Sequence, residues 1–178
     1  MDTDRGMDNG RDTDNGRAME EGTETEYGRI EREVHVDASP EVVFEVVSRP
    51  EHLREWWPDD ADLDPVPGAD GHLVWGDRGT GEAQVVAVTV VEVDPPRRFS
   101  FRWIHPDGDE ARPGNSLLVT FDLVPSGTGT LVHLTETGFR EMGWEIAVLE
   151  EAYREHCQGW DTFLPRLGGY VTRLVSSR

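Results

Sequence analysis

From Arg29 to Asp37 the chain changes character at almost every step, with Ile30, Arg32, Val34 and Val36 alternating against Glu31, Glu33, His35 and Asp37. A period of two marks a half-buried β-strand. Ser39-Pro40-Glu41 follows, an N-cap serine with proline at the first helical position, where its missing N–H costs nothing. Val42, Val43, Phe44, Val46 and Val47 then make a short apolar helix, and Pro50 starts a second that runs through Leu53 to Trp57 and stops at Pro58. Strands are expected at His72 to Gly76, at Ala83 to Val93 before Pro95-Pro96, and at Arg97 to Ile104 with Phe99, Phe101 and Trp103 on one side. Leu117, Val119, Phe121 and Leu123 alternate in another, and Gly127-Thr128-Gly129 turns it into Leu131 to Thr137. Such short links suit an antiparallel meander rather than parallel βαβ units.

The last segment switches period. Leu149, Tyr153, Cys157, Trp160, Leu164, Leu167, Val171 and Leu174 recur at three and four, predicting one long helix. Pro165 lies inside it and predicts a bend, while Gly159 reads as a point of close approach to the sheet. The fold class is therefore α+β, with two short helices after the first strand, an antiparallel sheet, and a long C-terminal helix closing over it.

Residues Met1 to Gly28 carry no such periodicity. They are nearly all Asp, Glu, Gly, Thr, Asn and Arg, and predict a disordered acidic tail ahead of a single domain over 29–178. Met7 and Met19 are alternative starts.

Composition then removes function classes. A formal net charge of -19 disfavours nucleic acid and anionic membranes. All 17 basic residues are Arg, which excludes a Schiff-base lysine and a P-loop lysine. The single Cys157 excludes an intrachain disulfide and reads as a buried structural thiol. The six histidines have no ligand-type spacing, so no metal site and no cofactor is expected. No apolar run reaches the ~20 residues that span a bilayer, and the N-terminus lacks signal-peptide regions, so the expected location is cytoplasmic. Asp59-Asp60-Ala61-Asp62-Leu63-Asp64 lacks the glycine and terminal glutamate of a calcium loop and reads as a solvated loop. Gly76 to Gly81 has no helix behind it and reads as a hairpin turn, not a phosphate cradle.

The aromatic residues hold the candidate chemistry. Trp75, Phe101 and Trp103 lie on expected strands, Trp160 and Phe163 on the long helix, and Trp56-Trp57 beside Pro58 in the position of a gate or lid. They make either an aromatic core or the walls of a pocket for a flat apolar molecule. Val119 and Leu164 complete the candidate lining. His133, between Val132 and Leu134, is the candidate cavity-facing histidine, either a satisfied core residue or a general base. Asp122 and Glu136 are strand carboxylates that either orient a ligand or face solvent.

Several stretches, in order, resemble the helix-grip domains of the START-like (SRPBCC, Bet v 1-like) superfamily, in the branch named after the activator of heat-shock protein 90 ATPase. They are Ile30 to Val34, Ser39-Pro40-Glu41-Val42-Val43-Phe44, Pro50-Glu51-His52-Leu53 with Trp56-Trp57, Pro95 to Trp103, Pro113-Gly114-Asn115-Ser116, Glu136-Thr137-Gly138-Phe139 and Gly159-Trp160. The resemblance spans about Arg29 to Arg173. It implies a curved sheet wrapped around the terminal helix and a cavity between them, and supplies no shared catalytic motif. The expected function is thus non-enzymatic binding of a small apolar or aromatic molecule, with a chaperone as a partner that the family's name suggests and a cyclase-like enzyme as an alternative.

Trp56-Trp57-Pro58, Gly114-Asn115-Ser116 and Phe139-Arg140-Glu141-Met142-Gly143 also resemble segments of the self-sacrifice resistance proteins of enediyne producers. That likeness implies quenching of a bound diradical by a glycine Cα. Gly108 and Gly114, in the loop after Trp103, are the candidates.

Overall fold

The computed structural model describes residues 27–177. The acidic tail lies outside them except for Tyr27 and Gly28, and Tyr27 already belongs to the folded part. Its ring sets edge-on against Tyr153 with centroids 5.5 Å apart.

Seven strands form one antiparallel sheet in the order β1-β7-β6-β5-β4-β3-β2. They are β1 Arg29–Val36, β2 Asp60–Asp62, β3 Asp70–Trp75, β4 Gln84–Asp94, β5 Arg98–Trp103, β6 Leu117–Ser126 and β7 Gly129–Thr137. Helices α1 (Pro40–Ser48) and α2 (Pro50–Trp56) follow β1, and α3 (Ile146–Ser176) ends the chain. This is the α+β helix-grip arrangement that the resemblance implied.

Each element has a legible cause. Ser39 accepts a hydrogen bond from the Val42 N–H at the start of α1, and Pro40 occupies its first turn. Val43, Phe44, Val46 and Val47 are buried from that helix. In β6 the odd residues from Leu117 to Leu123 are buried, and in β7 the even ones from Thr130 to Glu136. Strand alternation sends these rows to the same inner face, opposite α3. A register shift between Val90 and Glu92 interrupts the β4–β5 ladder, and such bulges bend a strand.

Two expectations change, at Asp60–Asp62 and at Cys157, while the expected continuation of the last helix past Pro165 holds. Asp60–Asp62 is a strand and not a solvated loop: it pairs with Val74, Leu73 and His72. Ala61 is buried, and Gly71 lets β2 approach so closely that a Cβ there would overlap the Asp62 carbonyl and Leu63. The helix α3 continues without interruption through Pro165, although that residue offers no N–H to the preceding turn. Leu164, Leu167 and Val171, buried on either side of Pro165, hold both halves against the core. Cys157 is half-buried rather than buried, and its thiol lies beside the guanidinium of Arg32.

Candidate functional site

The inner face of β3, β4 and β5 meets α3 around a cavity of about 230 Å³. Trp57, Trp75, Trp103, Trp160 and Phe163 supply its aromatic walls, Val86 and Ile104 its aliphatic ones, and Gln84, Glu155 and His156 its polar groups. Trp57 is the centre of the aromatic cluster, with ring centroids 5.0 Å from Trp160, 5.3 Å from Trp103 and 5.7 Å from Trp75. These separations fall in the range of tilted and edge-to-face aromatic contacts.

Beneath the tryptophans lies a charged residue. Glu136 is fully buried on the inward row of β7, directly after Val132 and Leu134. Three donors converge on its carboxylate. The Trp103 indole N–H donates to Oε2 at 2.6 Å, the Trp160 indole N–H to Oε1 at 3.0 Å, and His156 Nδ1 lies 2.9 and 3.0 Å from the two oxygens. A buried carboxylate is tolerated only when its acceptor sites are filled in this way. The His156 ring is packed edge-to-face by Trp103 and by the buried Phe139.

Two backbone features shape the rim. Ile104 sits at φ 75°, a left-handed conformation that a β-branched side chain rarely adopts. Gly159 borders the cavity from mid-α3, and a Cβ added there would meet nothing within 4 Å. The glycine therefore leaves open space and does not serve close approach to the sheet.

The structure brings five of the expected lining residues to the cavity: Trp57, Trp75, Trp103, Trp160 and Phe163. Phe101, Val119 and Leu164 are buried in the surrounding core and do not line it. Trp56 is an anchor rather than a gate, since it is 1% exposed and donates its indole N–H to the Val46 carbonyl at 3.1 Å. His133 does not face the cavity. Alternation puts it on the face opposite Val132 and Leu134, where Nδ1 meets Glu33 at 3.0 Å. The general-base reading of His133 falls with that placement.

Asp122 is likewise on the outer face, accepting from Arg98 at 2.6 Å. Gly108 lines a separate groove under the β5–β6 loop with His72, Thr89 and His105, and Gly114 lies near the Glu141 carbonyl. Neither glycine borders the tryptophan cavity. Reading from sequence alone missed Glu136 as the buried centre and His156 as its partner. The signal was present in the alternation of β7, which assigns Glu136 to the row of Val132 and Leu134.

Among the described residues no group of His, Cys, Asp and Glu is arranged to hold a metal ion. No helix among them is long and apolar enough to cross a membrane.

The fold recurs in solved structures. Protein MLL2253 from Mesorhizobium loti superposes with a TM-score of 0.66 at 23% identity, over 82% of this chain and 97% of its own. CalU16 from Micromonospora echinospora gives 0.57 at 20% identity, covering 84% of this chain and 79% of its own. The Aha1 dimer from Colwellia psychrerythraea gives 0.60 at 19% identity, covering 80% and 95%. No curated protein matches the chain significantly. The family model of activator of Hsp90 ATPase homolog 1-like proteins matches residues 37–172. With the helix-grip fold and three-quarters of its length matched, the chain belongs to that family, a branch of the START-like superfamily.

Proposed function

We propose that this protein binds a small, flat, apolar or aromatic molecule without chemically transforming it. The observation that carries the reading is the ring of Trp57, Trp75, Trp103, Trp160 and Phe163 around one cavity. Size narrows the ligand. Pockets for drug-sized molecules run to about 300–1,000 Å³, and a dry apolar cavity of about 150 Å³ takes benzene. The space of about 230 Å³ opens to the surface, and thus suits a substituted single ring, a small bicyclic, or one ring system of a larger molecule whose remainder stays outside. A ligand of about eight to ten heavy atoms at roughly -0.5 kcal/mol each would bind with a Kd between about 0.1 and 1 mM.

Intrinsic tryptophan fluorescence titrated with toluene, indole and naphthalene tests this. Saturable quenching that is lost in Trp57→Ala is the expected result. No response from any of the three would overturn the reading.

Gly159 favours a second reading. Self-sacrifice needs a glycine Cα at the ligand, and Gly159 is the glycine that borders the cavity, in place of Gly108 or Gly114. Incubation in air with an activated enediyne would then move the Gly159 Cα hydrogen to the diradical, and dioxygen adding to the carbon radical left behind would cut the chain at position 159. An uncut chain, or a cut in the β5–β6 loop, disposes of the Gly159 assignment.

A further inference from the structure

We infer that the cavity selects small aromatic molecules carrying a neutral hydroxyl, phenols in the simplest case, with His156 Nε2 as the hydrogen-bond acceptor. This rests on the binding reading above and narrows its ligand.

The argument starts from what can donate to Glu136. Two of its partners are indole N–H groups, which can only donate. The third contact, from His156 Nδ1, reaches both oxygens of the same carboxylate at 2.9 and 3.0 Å. A carboxylate accepts, so the proton of that contact belongs to Nδ1. A neutral imidazole whose Nδ1 holds the proton keeps its lone pair on Nε2. Among the described residues Nε2 has no hydrogen-bond partner, and the ring that carries it borders the cavity.

The ring also cannot easily turn. Trp103 and Phe139 clamp it edge-to-face at 5.3 and 5.5 Å, and rotation would leave buried Glu136 without one of its donors. A fixed lone pair among tryptophan faces asks for a flat ligand with a hydrogen to give. Anionic ligands are disfavoured by Glu155 at the cavity wall and by Glu136 buried behind it. A phenolic hydroxyl meets each requirement.

The test is a chemical-shift titration of the six indole N–H resonances of the full chain with p-cresol, 4-methylanisole and toluene. The three probes share a ring and differ in whether they donate a hydrogen bond. One net hydrogen bond predicts p-cresol binding about fivefold tighter than 4-methylanisole. In His156→Phe the two affinities should converge, whereas His133→Ala, on the outer face of the sheet, should keep the preference. Should the preference survive in His156→Phe, the acceptor is another polar group of the wall, Glu155 or Gln84, and the inference falls.

Equal wild-type affinity for p-cresol and 4-methylanisole also overturns it while the binding reading stands. Three silent probes overturn both. Because His156→Phe could fail to fold, the wild-type His156 ¹⁵N spectrum gives a separate readout. The Nε2 resonance should move with p-cresol and not with 4-methylanisole, and a resonance that ignores p-cresol rejects the assignment.

Discussion

Trp103 donates its indole N–H to Glu136 at 2.6 Å, so a wall of the cavity hangs from a buried carboxylate two strands away on the same sheet. The bond links stability to the shape of the site, because the same carboxylate also holds Trp160 and His156 from the helix side.

Glu136→Leu should be among the most damaging single changes. It strands three buried or half-buried donors, each at about 1–3 kcal/mol, so the expected loss is about 3 kcal/mol or more. Glu136→Gln keeps one acceptor oxygen and should cost less. Urea unfolding followed by tryptophan fluorescence measures both. A Leu variant as stable as wild type would show that the polar centre is not held as described.

Gly159 makes a prediction of opposite sign. Its Cβ position is empty, and glycine in a helix interior is worth up to about 1 kcal/mol less than alanine. Gly159→Ala should therefore raise stability by up to that amount, visible as about 2–4 °C in Tm. Gly159→Phe should fill the cavity and abolish binding of small aromatics while the fold persists. If Gly159→Ala is clearly destabilised, the residue is needed for packing and the cavity reading of this position is wrong.

His133→Ala checks the placement of β7. The side chain sits on the outer face among Glu31 and Glu33, and exposed ion pairs contribute about 0–1 kcal/mol. The expected result is a small stability change and unaltered ligand affinity. A large loss of affinity would put the strand in the wrong register.

That register shows how the sequence and the structure relate. Strand alternation and the three–four stripe of α3 were readable because each records a one-sided burial. The same alternation assigns His133 and Glu136 to opposite faces, but a charged residue on an inward row reads as solvent-facing until its donors are known. Those donors come from β5 and α3, residues 103, 156 and 160, and no local pattern connects them. The short β2 escaped for a similar reason. Asp60, Ala61 and Asp62 have poor strand composition, and they pair because Gly71 removes a side chain from their path. Trp56 and Trp57 are adjacent in sequence, yet one is a core anchor and the other a cavity wall.

His105 predicts a pH dependence. It is 6% exposed under the β5–β6 loop, and its Nδ1 has no hydrogen-bond partner. Thr89 gives its hydroxyl proton to Asp70, so His105 Nε2 donates to Thr89, and protonation would place a second hydrogen on the orphaned Nδ1. Burial lowers its pKa, against the opposing pull of Asp70, Asp107 and Asp109. The unfolded chain therefore binds this proton more readily than the folded one. The contribution to stability is full above the unfolded value of about 6.5 and is lost as pH falls towards the lower folded value. Denaturant unfolding between pH 7.5 and pH 5 should show wild type losing more stability than His105→Phe. Parallel curves for the two proteins would contradict it.

Ile104 reverses a familiar order of substitutions. Truncating a packed isoleucine ordinarily costs more as more atoms are removed, so glycine should be worse than alanine. Here the backbone sits at φ 75°, where a β-branched residue is strained by about 1–3 kcal/mol and alanine is still disfavoured. Glycine alone adopts that conformation freely. The side chain is also only half-buried at the cavity rim, which limits what its removal costs. Ile104→Gly is accordingly expected to be more stable than Ile104→Ala, by about 1 kcal/mol, and to widen the cavity enough to admit a larger ring. Thermal unfolding of the two variants decides the order, and a naphthalene titration of the glycine variant decides the widening. If alanine is the more stable, the conformation at Ile104 is not strained, and the rim is held by side-chain packing instead.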